Sequence, residues 1–170
     1  MPENCLNLPP AQLKTKQEGE RTLVFDVLRR RYVTLTPEEW VRQHFVHFLM
    51  SAKGYPQGCL GNEISLQVAE MKKRCDTVVY DTQARPLVIV EYKASSVAIT
   101  QKVFDQTWRY NLPLRVPYIY ISNGIQHFCC RIDYEKNTCE FLKDIPTYEE
   151  IMAPLCRQAG ISPKGERAAQ

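Results

Sequence analysis

Residues 74–94, RCDTVVYDTQARPLVIVEYKA, decide how this chain is read. Residues 76–80 (DTVVY) and 87–93 (LVIVEYK) are rich in β-branched and aromatic side chains, and the TQARP between them carries turn signals, so the stretch predicts a β-hairpin. Closure about Gln83–Ala84 pairs Tyr80 with Leu87 and sets Asp76 opposite Glu91, with Cβ atoms about 5 Å apart. Carboxylates that close repel, so a cation lies between them or one takes up a proton. Lys93 follows Glu91 by two residues and shares its face. Taken singly, an Asp at a strand start and E-x-K at a strand end are more often solvated strand ends. The register favours chemistry instead, as does the run LVIV, which enters Glu91 without alternation like a strand covered on both faces. Two carboxylates and an ammonium on one hairpin face can hold a divalent metal against a phosphodiester.

The surroundings are those of an ordinary folded domain. A chain of 170 residues with 44% hydrophobic and 10% aromatic residues suffices for one core and is not a disordered composition. No apolar run has the length of a membrane span, and MPENCLNLPP lacks the apolar stretch of a signal peptide, so the expectation is a cytoplasmic protein without membrane contact. Seven cysteines, with neither C-x-x-C nor zinc-ligand spacing, predict free thiols rather than a disulfide or zinc framework. A net charge of +3 draws in no nucleic acid globally, but the basic residues cluster as Arg29–Arg30–Arg31 and as Lys72, Lys73 and Arg74. The second cluster adjoins Asp76 and is a candidate DNA-backbone contact; the alternative is a solvated turn.

Working outward, residues 1–20 read as a loose lead-in and 22–28 as a strand at a sheet edge. Thr36, Pro37 and Glu39 form a capping-box start for a helix over 37–52, whose Trp40, Val41, Phe45, Phe48 and Leu49 share a face. Strand 63–69, the hairpin, a helix capped by Thr100 and running to residue 111, strand 117–122, a turn at Asn123–Gly124, strands 125–132 and 138–142, and a helix capped by Thr147 follow. The predicted fold is α/β: a three-strand antiparallel meander, a helical crossover that brings strand 117–122 in parallel, and flanking helices. The whole reads as one domain over residues 1–170, with its core at 34–142 and a C-terminal helix and tail at 143–170.

This order, helix-strand-strand-strand-helix-strand with Asp opening the second strand and E-x-K closing the third, resembles the PD-(D/E)XK nuclease core. Cys75 stands where that motif has its Pro, which has no catalytic role. TPEEWVRQHFVHFL, GYP, KKRCDTVVYD, LVIVEYKA, QTWRYN and ISNG follow in the order found in the N-terminal nuclease domain of type I restriction enzyme R subunits, a resemblance covering 34–142. It implies a Mg²⁺-dependent DNA endonuclease (Mn²⁺ substituting) that hydrolyses phosphodiesters with a metal-activated water. Asp76 and Glu91, with the Tyr92 carbonyl, would be metal ligands, and Lys93 would orient the water. Gln106 and Tyr110, as Q-x-x-x-Y, match an element of RecB-like nucleases; the alternative is a helix resting its Tyr on the sheet. Glu38 or Glu39 on the first helix, and Glu63 entering the first strand, are candidates for a further acid, Glu39 competing with its capping role. DNA is the implied substrate, and restriction-modification or helicase subunits are the implied partners. No G-x-x-x-x-G-K-[ST] occurs, so no ATP-driven motor is expected within these residues. The competing class is a catalytically silent DNA- or protein-binding module on the same fold. His44, His47 and His127 are scattered and read as structural.

Overall fold

The computed structural model describes residues 6–68 and 71–158. Strands β4 (Leu60–Val68), β5 (Met71–Tyr80), β6 (Pro86–Tyr92), β7 (Tyr118–Ser122), β8 (His127–Asp133) and β9 (Thr138–Leu142) form one sheet in sequential order. Every pairing is antiparallel except β6–β7, which is parallel. The crossover between those two is helix α2 (Gln101–Asn111), since parallel neighbours need a connection long enough to return along the sheet. A mixed α/β fold is therefore observed, with the meander and crossover where the sequence set them.

Helix α1 (Pro37–Ala52) covers one face. Its Val41, Phe45 and Leu49 pack with Val79, Val88, Val90, Tyr92 and Tyr120, and helix α3 (Tyr148–Gln158) adds Ile151 and Met152. On the opposite face, Phe104 and Trp108 of α2 pack against Cys75, Val78, Ile89, Ile119 and Ile121. With both faces covered, β6 is apolar throughout its middle. The Asn123–Gly124 turn joins β7 to β8 as expected. Gly124 has φ +82°, and a Cβ there would come within 2.7 Å of Leu6 and 3.2 Å of Val41, so both backbone and space demand glycine.

Several expectations are corrected. Residues 15–18, assigned to the lead-in, form β1 (Thr15–Glu18), which pairs with β2 (Arg21–Asp26) and through it with β3 (Arg31–Thr34). The strand expected at a sheet edge is thus the centre of a separate three-stranded sheet. Lys72, Lys73 and Arg74 lie within β5 rather than on a turn. Tyr80 pairs with Pro86 instead of Leu87, because a bulge between Val79 and Tyr80 shifts the last pair. Cys130 and Cys139 are joined in a disulfide, Cα atoms 6.3 Å apart, against the expectation of thiols. The β8–β9 register sets Cys139 opposite Ile132 and Cys130 opposite Phe141, which makes the two cysteines diagonal neighbours; nothing in their linear spacing signals this. Cys59 and Cys129 remain thiols. Finally, Thr36 does cap α1 by accepting the Glu39 N–H at 3.1 Å, but the Glu39 carboxylate does not return to the cap. It is used elsewhere, as described next.

Candidate functional site

The site forms where β5 parts from β6. Their ladder ends at Thr77↔Val90, while β5 stays paired with β4 out to Met71↔Val68, so the β4–β5 ribbon overhangs the sheet. The next ladder positions are Asp76 and Glu91, the two acids that the hairpin register brought together in sequence. At the fork the Tyr92 N–H faces no paired strand, and Asp76 Oδ2 accepts it at 2.9 Å in place of a backbone carbonyl. The β4–β5 register also skips Glu63 and Asp76, and Glu63 takes φ +56°. Cys75 and Val78 pack in one cluster although they are three residues apart, so the pleat breaks between them. Such a break re-aims side chains. Asp76 Oδ1 meets Arg42 Nη2 of α1 at 2.9 Å.

Arg42 is the residue that sequence reasoning missed. Its side chain is 5% exposed, with Nη1 2.8 Å from Glu39 and 2.6 Å from Glu63. Burial opposes its charge, but Glu39, Asp76 and Glu63 outweigh burial and hold the guanidinium pKa above its ordinary value. The available signal was a cation three residues after Glu39, flanked by the inward-facing Val41 and Phe45. Glu39 Oε1 also accepts from Arg29 at 2.8 Å and from Gln43 at 2.8 Å. Arg29 binds Asp26, which accepts from Asn62, whose own carbonyl takes the Thr77 hydroxyl at 2.6 Å; Thr77 in turn accepts from the Tyr92 hydroxyl at 3.1 Å. Burial pushes the Asp26 carboxyl up, yet the Arg29 N–H, Asn62 and the Arg29 guanidinium leave it below the ordinary value. One buried polar network therefore ties the small sheet, α1 and the fork together.

Glu91 and Lys93 share the strand face of Ile89, the face α2 covers. Lys93 Nζ is 3.4 Å from Glu91 Oε1, and both side chains are partly exposed. Burial first, then the charge of Asp76, push the Glu91 carboxyl up to about 7, with Lys93 pulling the other way. Glu38, half-exposed on the first turn of α1, is also raised by burial and by Asp76. Oxygen donors that resist carrying their charges side by side fit a hard divalent cation. Among the described residues no three His, Cys, Asp or Glu side chains converge into a ligand set, so a cation here would take two carboxylates, with backbone and water completing its shell.

The other candidates fall variously. Glu39 and Glu63 are both engaged by Arg42, and Glu63 also pairs with Arg74. Lys72 and Arg74 are exposed on the overhanging ribbon; the side chains of Lys73 and Tyr110 lie outside what is described. Gln106 is exposed and, among the described residues, makes no hydrogen bond to Asp76, Glu91 or Lys93. His44 bonds the Trp40 carbonyl and His127 bonds Ser122 and Asn7, structural roles as expected.

The family profile described as "Type I restriction enzyme R protein N terminus (HSDR_N)" matches residues 37–146, more than half of the chain. The chain belongs to this R protein N-terminal family. The match opens at the first residue of α1, spans the fork, and ends after β9. A solved fragment of a putative HsdR subunit of a type I restriction enzyme from Vibrio vulnificus YJ016 has a similar fold over 75% of this chain, with TM-score 0.52 and 20% identity. The present chain spans 27% of that one. No curated protein matches the sequence. Among the described residues no helix is long and apolar enough to cross a membrane.

Proposed function

We propose that the protein is a divalent-metal-dependent DNA endonuclease domain on a PD-(D/E)XK core. Family membership supports a restriction-nuclease-related role, and the chain order α1-β4-β5-β6-α2-β7 supports the finer fold assignment. The observation that carries the reading is the fork, where Asp76 and Glu91 occupy the first unpaired ladder positions with Lys93 beside Glu91.

Asp76, Glu91 and the Tyr92 carbonyl would hold Mg²⁺, or Mn²⁺ in its place. Such an ion supplies Lewis-acid polarisation of the phosphate and a lowered pKa for a coordinated water. Asp76 is presented in a single orientation, because the Tyr92 N–H and Arg42 each take one of its oxygens. Lys93 orients the attacking water and offsets negative charge that develops on the scissile phosphate during in-line attack. Gln106 and Tyr110, from the helix over the Glu91 face, brace the water or the DNA strand. Lys72, Lys73 and Arg74 on the ribbon take backbone phosphates, contacts that position DNA without reading its sequence. In the context of the family, restriction-modification or helicase subunits are the expected protein partners.

Plasmid incubated with the protein and Mg²⁺ or Mn²⁺ tests this. Wild type nicks or linearises it, and Asp76→Ala or Glu91→Ala slows cleavage by about a hundredfold or more. No cleavage by wild type with either metal sinks the hydrolytic reading. A silent DNA-binding module is then favoured, and one observation already suits it: Arg42 gives Asp76 a counter-ion without any metal. That module predicts DNA binding unchanged by Glu91→Ala.

A further inference from the structure

Arg42 sits among more carboxylates than a positioning role for one of them requires. Its guanidinium contacts Glu39, Glu63 and Asp76 and has Glu38 at 3.9 Å. The side chain is 5% exposed, its Nε has no hydrogen-bond partner among the described residues, and its guanidinium carbon lies 5.7 Å from the centroid of the Tyr92 ring. The Arg42 contact to Asp76 uses Oδ1, and the Tyr92 N–H uses Oδ2. Hydrolases that use two divalent ions hold them about 4 Å apart, so acids must be available around both positions. Here the acids that could serve a second position, Glu39 and Glu63, already surround a cation. Arginine does not release its proton in a protein, so this positive charge is permanent.

We propose that Arg42 is a built-in counter-cation that fills the Glu39–Glu63 side of the fork and restricts the site to one divalent ion, between Asp76 and Glu91. This rests on the metal-dependent reading above and deepens it. Glu39 and Glu63 then act through Arg42 on the position of Asp76 and are not metal ligands. Arg74, paired with Glu63 on the ribbon, belongs to the same chain of charges.

The test is an Mn²⁺ titration of the whole chain, with free Mn²⁺ followed by electron paramagnetic resonance. Wild type binds one ion, Asp76→Asn binds none, and Arg42→Met binds a second ion among the released carboxylates. Arg42→Lys keeps the charge and stays at one. Because Arg42→Met leaves buried acids without a partner and can fail to fold, Glu63→Gln supplies an independent arm. It keeps one ion with affinity within about threefold of wild type, as expected for a charge outside the ligand set. Two ions in wild type, a folded Arg42→Met that stays at one, or a loss of about tenfold or more in Glu63→Gln (about 1.4 kcal/mol) overturns the inference and leaves the one-site hydrolytic reading intact. No ion bound by wild type overturns both together.

Discussion

Thr36-Pro-Glu-Glu39 and Thr147-Tyr-Glu-Glu150 spell the same T-x-x-E signal at the start of two helices, and they end differently. At α3 the capping box closes both ways: the Thr147 N–H reaches Glu150 Oε2 at 2.7 Å, and the Glu150 N–H reaches Thr147 Oγ1 at 3.2 Å. At α1 only half the box forms. Thr36 takes the Glu39 N–H, but the Glu39 carboxylate turns inward to Arg29, Arg42 and Gln43. Glu150 stands in solvent, where the nearest donors are its own cap, whereas Glu39 is buried between two guanidiniums. A capping signal therefore identifies a helix start, while the side chain goes to the strongest donors within reach.

The comparison breaks most visibly at Glu39. Glu39→Ala takes one carboxylate from each of two guanidiniums, leaving Arg29 with Asp26 and Arg42 with Glu63 and Asp76, and is expected to cost about 1.5–3 kcal/mol in chemical denaturation. A cost no greater than that of a lost cap would mean that the network contributes nothing. Thr36→Ala and Thr147→Ala come next, each removing one N-cap acceptor for about 1 kcal/mol; their near-equality would separate the threonine's role from the glutamate's. The smallest effect is at Glu150. The Thr147 N–H, then its hydroxyl, hold the Glu150 carboxyl below its ordinary value. A depressed folded-state pKa gives a stabilising contribution that is full above the unfolded pKa of about 4.3 and fades as pH falls through the lower folded value. The melting-temperature deficit of Glu150→Ala should accordingly be present at neutral pH and vanish on acidification. A deficit that persists in acid would assign it to helix propensity instead.

The same contrast marks what was legible along the chain. Thr77↔Val90 and its neighbours were readable because two runs of β-branched and aromatic residues flank a short turn, which allows few registers. The bulge that moved Tyr80 onto Pro86 was not, since one residue of slack in a turn leaves no trace in composition. The place of Asp76 and Glu91 at the first positions beyond the ladder followed from that register, but the use of Asp76 as acceptor for the Tyr92 N–H did not. It depends on β5 staying with β4 after leaving β6. The basic run 72–74 was legible as charge and misplaced as structure, because lysine and arginine in an overhanging ribbon look like those in a solvated loop. The Cys130–Cys139 bond lay hidden in strand register.

Propensity, periodicity and capping act over a few residues, so the order of helices and strands from α1 to α3, and the placing of Asp76 and Glu91 at the next positions beyond one ladder, were written in the chain itself. Choosing a partner for each buried charge is another matter. Arg42 meets Asp76 across 34 residues of sequence, and Glu39 abandons its cap for Arg29, because packing brings those groups together in a poorly solvated space. Ionic attraction there grows with exclusion of water, and no local pattern records which cation will arrive.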